Sequence, residues 1–297
     1  MNKRLFLYGL IFLLVLVAAG AGLLYQGQGA PISVTTVRGE HATYQSGGLY
    51  RYNPASVARE GIVWDAIDIV LALPLFIAAI WLDRRGSLRG RLLLLGTLFY
   101  FTYKYFQYAV MLAFNPLFLV YVAIFTLSAV AFFMALAGVD VARLPNRISD
   151  HFPHRLIIGF TSVMGVALIL MWLGRIIPYT LADRFPDEFA GMTTLVTQAL
   201  DLGMVVPLML TTAVLLWRRS VWGYLLGGIS MTFGLIMSIT IPAWIVVPLI
   251  QDGQVNPVEA APFSVLCLIG LYVFWQYFRN IGGESRTTSA PRGVALR

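Results

Sequence analysis

The sequence predicts an all-α integral membrane protein, with eight transmembrane helices in two parallel four-helix repeats and both termini cytoplasmic. Three observations predict it. Apolar residues make up 59% of the 297 and charged residues 12%, against about 45–50% and about 25% in soluble domains. Apolar runs of about 20 residues, enough to cross a bilayer, recur along the whole chain. A shift of 133 residues superimposes two segments rich in charge and proline.

The first helix is expected from about Leu5 to Tyr25 and the second from Gly61 to Leu82. The third covers Leu92 to Ala113 and the fourth Leu117 to Val139, joined so tightly at Phe114-Asn115-Pro116 that they must be antiparallel neighbours. The fifth runs from Leu156 to Pro178 and the sixth from Leu195 to Trp217. The seventh starts near Trp222 and contains Pro242 and Pro248, and the eighth runs from Ala261 to Phe278. Residues 1–150 form the first half, with an extracellular loop at about 26–60. Residues 151–279 form the second half, and 280–297 a polar, disordered cytoplasmic tail. Lys3-Arg4, an apolar run and Ala19-Gly20-Ala21 also fit a signal peptide. The run is long for one, and the repeat needs it, so it is read as a helix.

Lys and Arg fix the orientation. Fifteen fall on the side of the N-terminus, and Arg38, Arg51, Arg59 and Arg184 fall on the other. Cytoplasmic loops carry the excess of positive charge, so both termini are placed inside. Trp81, Trp217, Trp222 and Trp275 lie near the inner boundary, where an aromatic belt forms. The net charge of +7 is thus a topology signal, and nucleic acid is not an expected partner. The bilayer is.

Under the 133-residue shift, Asp68 falls on Asp201, Pro74 on Pro207, Arg85 on Arg218, Ser87 on Ser220 and Gly90 on Gly223. Each copy reads Asp, a Pro-Leu six residues later, a basic loop, then Gly opening the next helix. Two halves that start on the same side are parallel repeats about an axis along the membrane normal.

Asp65, Asp68, Lys104, Arg175 and Asp201 lie inside the spans. A lone charge at mid-bilayer costs about 2.5–3.5 kcal/mol, so such groups must pair or face a wet cavity. At 1.5 Å per residue, Asp65, Asp68 and Asp201 sit about 6, 10 and 9 Å below the outer boundary. Lys104, near mid-membrane, is the natural counter-ion of Asp68, Asp201 or both. Tyr100, Lys104 and Tyr108 form one stripe at helical spacing, with Gln107 beside it. These residues are the candidate site for a small polar or anionic ligand. Arg175 is peripheral and snorkels toward the outer surface. A polar clamp that only fixes the two halves together is the alternative.

Other signals exclude more than they assign. Cys267 stands alone, so no intrachain disulfide forms. His41, His151 and His154 are all read as loop residues, so no spanning pair exists to ligate haem. Asp150-His151-Phe152-Pro153-His154 lacks the spacing of a metal site. No nucleotide-binding loop, catalytic triad or zinc motif is present. No metal or other cofactor is expected, and the sequence does not give the oligomeric state.

The chain resembles a group of uncharacterised prokaryotic polytopic membrane proteins. The likeness is carried by Arg84-Arg85-Gly86-Ser87-Leu88-Arg89-Gly90-Arg91, by Phe114-Asn115-Pro116-Leu117 through Ala123, and by Asp201-Leu202 through Trp222-Gly223-Tyr224. The resemblance implies a membrane fold in a prokaryotic plasma membrane and no mechanism. The eight-helix plan is also similar to that of haem A synthases, but the spanning histidines are missing. The expected function is transport or sensing of a small molecule or ion at an outward-facing polar site. An integral membrane enzyme acting on a lipid or isoprenoid, and a ligand-free assembly subunit, are the alternatives.

Overall fold

The computed structural model describes residues 3–27, 29–141, 144–186, 189, 191–252 and 257–282. Arg143 and the predicted disordered tail from residue 283 onward lie outside the described residues. Long helices dominate the fold, and six are long and apolar enough to cross a membrane. These are α1 (Lys3–Leu24), α2 (Ala55–Arg84), α4 (Phe118–Ala137), α5 (His154–Leu181), α6 (Val196–Trp217) and the Val221–Trp244 part of α7 (Val221–Asp252). The other two are α3 (Leu88–Met111), which carries Arg89, Arg91 and Lys104, and α8 (Pro257–Arg279). The chain is therefore a helical protein of the multi-pass membrane type.

The helices begin and end for local reasons. Pro54 precedes α2, which starts six residues ahead of the expected Gly61. At the other end of α2, Gly86 takes a left-handed conformation (φ 75°), which glycine adopts without a Cβ penalty. Ser87 caps α3 by accepting the amide of Gly90 at 3.3 Å. Asn115 turns the chain between α3 and α4, its Oδ1 accepting the Leu117 amide at 2.9 Å.

Both α2 and α6 contain one π turn, Asp68–Ala72 and Asp201–Val205. The amides of Leu73 and Val206 bond five residues back, to the carbonyls of Asp68 and Asp201. A proline follows at once in each helix, Pro74 and Pro207, and has no amide to offer the preceding turn. Widening that turn is how the helix absorbs the lost bond, and π turns collect at functional positions. The two π turns are offset by 133 residues, as are the helical segments after them, Leu73–Arg84 and Val206–Trp217. The left-handed Gly86 falls on the left-handed Arg219 (φ 56°). A Cβ on Gly90 or Gly223 would strike the backbone of the preceding helix, so both hairpins need glycine there.

Helix α3 runs through the core. It packs against α2, α4 and α7 and meets the start of α6. Gly96 on α3 faces Thr232 on α7, and Gly228 on α7 faces Leu92 on α3, which lets the two helices cross closely. Helix α5 packs chiefly on α6, and its outer face is largely exposed apolar surface. The long loop expected at about 26–60 carries a hairpin, β1 (Ile32–Thr35) paired antiparallel with β2 (His41–Tyr44). Two of the three loop histidines are thereby relocated. His41 lies on β2, where alternating strand residues pair with β1, and His154 opens α5, the turn at Pro153 being the helix start. His154 Nε2 lies 2.7 Å from the Tyr224 hydroxyl.

Candidate functional site

The charges inside the helices settle into two places. In the first, Lys104 Nζ on α3 donates to Asp68 Oδ2 at 2.6 Å and to Asp65 Oδ1 at 3.2 Å. All three residues are 0% exposed. Asp65 lies in the last turn of the α-helical part of α2, which ends at Ile67, and Asp68 opens its π turn, so the pair shares a face toward α3. Four tyrosine hydroxyls complete the shell. Tyr100 donates to Asp68 Oδ1 at 2.8 Å and Tyr105 to Asp68 Oδ2 at 2.7 Å. Tyr50, from the loop between α1 and α2, donates to Asp65 Oδ2. The Tyr108 hydroxyl lies 3.2 Å from Asp65 Oδ1 and 3.0 Å from the Gly61 carbonyl, two acceptors for one proton. The rings of Tyr108 and Tyr105 also lie 4.7 and 5.0 Å from the Lys104 ammonium.

This cluster is saturated. Each carboxylate takes two tyrosines and a share of one lysine. Isolated charges could not sit in such a dry place, and the arrangement meets that cost with paired, charge-assisted hydrogen bonds. Glycine makes the room. A Cβ on Gly22 of α1 would overlap the Asp65 carboxylate and crowd the Tyr50 hydroxyl, and one on Gly61 would crowd the Tyr50 ring.

The second place is built around Asp201, which opens the π turn of α6 and is partly exposed. Asp201, expected beside Lys104, instead takes hydrogen bonds from Tyr103 on α3 at 2.7 Å and from Trp172 Nε1 on α5 at 2.9 Å. The separation has a geometric cause. Tyr103 leaves α3 toward the start of α6, while Tyr100, Lys104 and Tyr105 reach toward α2, where the lysine is taken up by Asp65 and Asp68. Asp201 lines a cavity of about 100 Å³ between α5, α6 and α7, whose other walls are almost wholly apolar, including Phe160, Met209 and Met237. Both of its hydrogen-bond donors are neutral.

Tyr100, Tyr108, Asp65, Asp68 and Lys104 are thus brought together, as the stripe on α3 implied. Gln107 points elsewhere, its Nε2 donating to Thr197 Oγ1 on α6 at 2.8 Å while its Oε1 is buried without a partner. Arg175 stays on the exposed side of α5, its guanidinium 5.8 Å from the Trp172 ring.

No family model, curated protein or solved structure matches the chain. The chemistry is therefore argued from the side chains alone. Among the described residues, no group of His, Cys, Asp and Glu is arranged to hold a metal ion. Sequence reasoning did not find Tyr50 or Trp172. Tyr50 lies in a loop, where no periodicity ties it to a face. Trp172 lies in an unbroken apolar run, where a ring nitrogen looks like packing. The one available signal was Asp201 itself, since a membrane carboxylate without a lysine needs neutral donors from somewhere.

Proposed function

We propose that the chain is a plasma-membrane protein of eight crossings, with both termini cytoplasmic, built from two parallel four-helix repeats. On this reading it transports or senses a small molecule or ion at Asp201, and it belongs with the prokaryotic polytopic proteins it resembles. The observation that carries the reading is a carboxylate at a π turn, open to an apolar cavity, with only neutral donors on it. A carboxylate kept in such a place at such cost is a functional position by default. The coincidence of π turns, prolines and hairpin glycines at one offset supports the two-repeat plan. The Lys and Arg count supports the orientation, and the exposed Trp81, Trp217, Trp222 and Trp275, with Arg85 stacked 3.7 Å over Trp81, suit a membrane boundary.

A second reading is favoured by the other site. The sealed Asp65–Lys104–Asp68 cluster has the properties of a clamp, and a chain with only this cluster would be a structural or assembly subunit. The test is electrical. Proteoliposomes of the purified full chain are adsorbed on a solid support and exposed to jumps of H⁺, Na⁺, K⁺ and a panel of small organic ions and zwitterions. Transport predicts a transient current that falls at least tenfold in Asp201→Asn. Sensing predicts a solute-induced rise in unfolding temperature with the same dependence. Absence of both across the panel overturns this reading in favour of the clamp.

A further inference from the structure

The two sites are counterparts. Under the 133-residue shift that puts Asp68 on Asp201, Lys104 falls on Met237, Tyr100 on Phe233, Phe101 on Gly234, Tyr105 on Ser238 and Tyr108 on Ile241. All five of these second-half residues line the Asp201 cavity. Where the first half is filled and neutralised, the second is hollow. The Phe101 ring is fully buried in the first half, and its counterpart Gly234 has no side chain. The Tyr105 ring shrinks to a serine. The ammonium of Lys104 becomes the thioether of Met237. The two tyrosines that bond Asp68 become Phe233 and Ser238, and Asp201 draws its two donors from Tyr103 and Trp172 instead.

We propose that the Asp201 cavity binds a small primary amine, whose ammonium takes the position that Lys104 occupies beside Asp68. The inference rests on the transport-or-sensing reading and names the ligand class for that same site. Three observations argue it. The carboxylate has acceptor capacity left, since two donors occupy two oxygens that together offer about four lone-pair sites. The space fits an alkyl chain with a charged end. An apolar cavity of about 150 Å³ holds one benzene ring, so a void of about 100 Å³ suits an aliphatic amine of a few carbons. Met237 and Met209 offer flexible, polarisable walls to such a chain.

The third observation is an orphaned acceptor. Asp65, which shares the Lys104 ammonium, falls on Gln198. Gln198 is 4% exposed, and its Oε1 accepts no hydrogen bond. It stands one helical turn before Asp201, as Asp65 stands one turn before Asp68. An ammonium has three donors, and in the first half two of them reach these two positions. In the second half Asp201 lines the cavity, and Gln198, one turn away and outside the lining, carries an unpartnered amide oxygen; both are acceptors, which suits a donor and not an anion. An anionic ligand would also find no ammonium here, because Lys104 is already engaged by Asp65 and Asp68.

The test uses the full chain in nanodiscs of zwitterionic lipid, with n-butylammonium chloride as the probe and 1-butanol and butyrate as chain-matched controls. Calorimetry is expected to show saturable binding of butylammonium and none of either control. Asp201→Asn is expected to weaken binding at least tenfold. Met237→Lys supplies the missing ammonium from the chain itself, and should raise the unfolding temperature and abolish butylammonium binding. Gly234→Phe refills the cavity without changing any charge, so it should also abolish binding and serves where Met237→Lys does not fold. Butylammonium binding that is absent in the wild-type chain, matched by 1-butanol, or unchanged in Gly234→Phe overturns the proposal. Asp201-dependent currents from other solutes, with no butylammonium binding, overturn the amine site and leave the transport reading intact. Butylammonium binding with no current from any solute, butylammonium included, keeps the amine site and overturns the transport half of that reading.

Discussion

At the scale of single residues, Lys104 is the most committed side chain in the molecule. It is buried completely and holds two carboxylates within 3.2 Å. Replacing it with methionine leaves both carboxylates without their cation. Breaking a buried ion pair from one side costs about 3–5 kcal/mol. Lys104→Met should therefore lower the unfolding temperature in detergent sharply, and Lys104→Met combined with Asp68→Asn should recover part of the loss. A single variant as stable as the wild type would show that the cluster does not carry the fold. The meeting of Asp65, Asp68 and Lys104 was legible in the sequence, because the cost of a lone charge in hydrocarbon forces such groups to pair. The exclusion of Asp201 was not legible, since choosing between two carboxylates depends on which face of α3 meets which neighbour. Tyr103, one residue from Lys104, gave no sign that it bonds across to α6.

At the scale of elements, α1 and the loop that carries the β hairpin both serve the rest of the fold. Helix α1 supplies Gly22 to the wall of the Asp65 cluster, and the loop supplies Tyr50. The hairpin is tied down at both ends: the Tyr44 hydroxyl donates to the Gly191 carbonyl at 2.9 Å, and from the turn Arg38 Nη2 donates to the Met192 carbonyl at 2.7 Å. Arg38 is itself gripped by Glu40, Nε to Oε1 at 2.8 Å. The hydrogen bond from Arg38 is the main cause that holds the Glu40 carboxyl below its ordinary range. A carboxyl whose pKa is lowered by folding stabilises the fold above its unfolded pKa, and that contribution is lost as pH falls through the lowered value. Amide exchange across Ile32–Tyr44 should therefore be better protected at pH 7 than in acid, and the protection should fall as pH drops through the lowered Glu40 value. In Glu40→Gln the protection should not change with pH over that range. The hairpin itself was not legible. Its strands are four residues each, mostly exposed, and lack the alternation of a half-buried sheet.

At the scale of the whole molecule, the long helices were legible to within a few residues at most ends, because hydrophobic length is the signal a bilayer demands. The π turns were not. The Asp-to-Pro spacing announced a kink, and sequence does not say whether a helix meets a missing amide by bending or by widening a turn. The orientation makes its own prediction. In a Cys267→Ser background, Val37→Cys should react with a membrane-impermeant maleimide in intact cells, and Arg84→Cys only after permeabilisation. The opposite pattern would turn the protein over.

Helix α3 has one further property at this scale. Two successive side chains, Tyr103 and Lys104, grip carboxylates on two different helices from the same rod. A twist of α3 about its long axis turns Tyr103 and Lys104 together, so it alters the Asp201 and Asp68 contacts at once. The rod is thus a balance beam: whatever loads one arm is felt at the other, even though the two cradles share no atom.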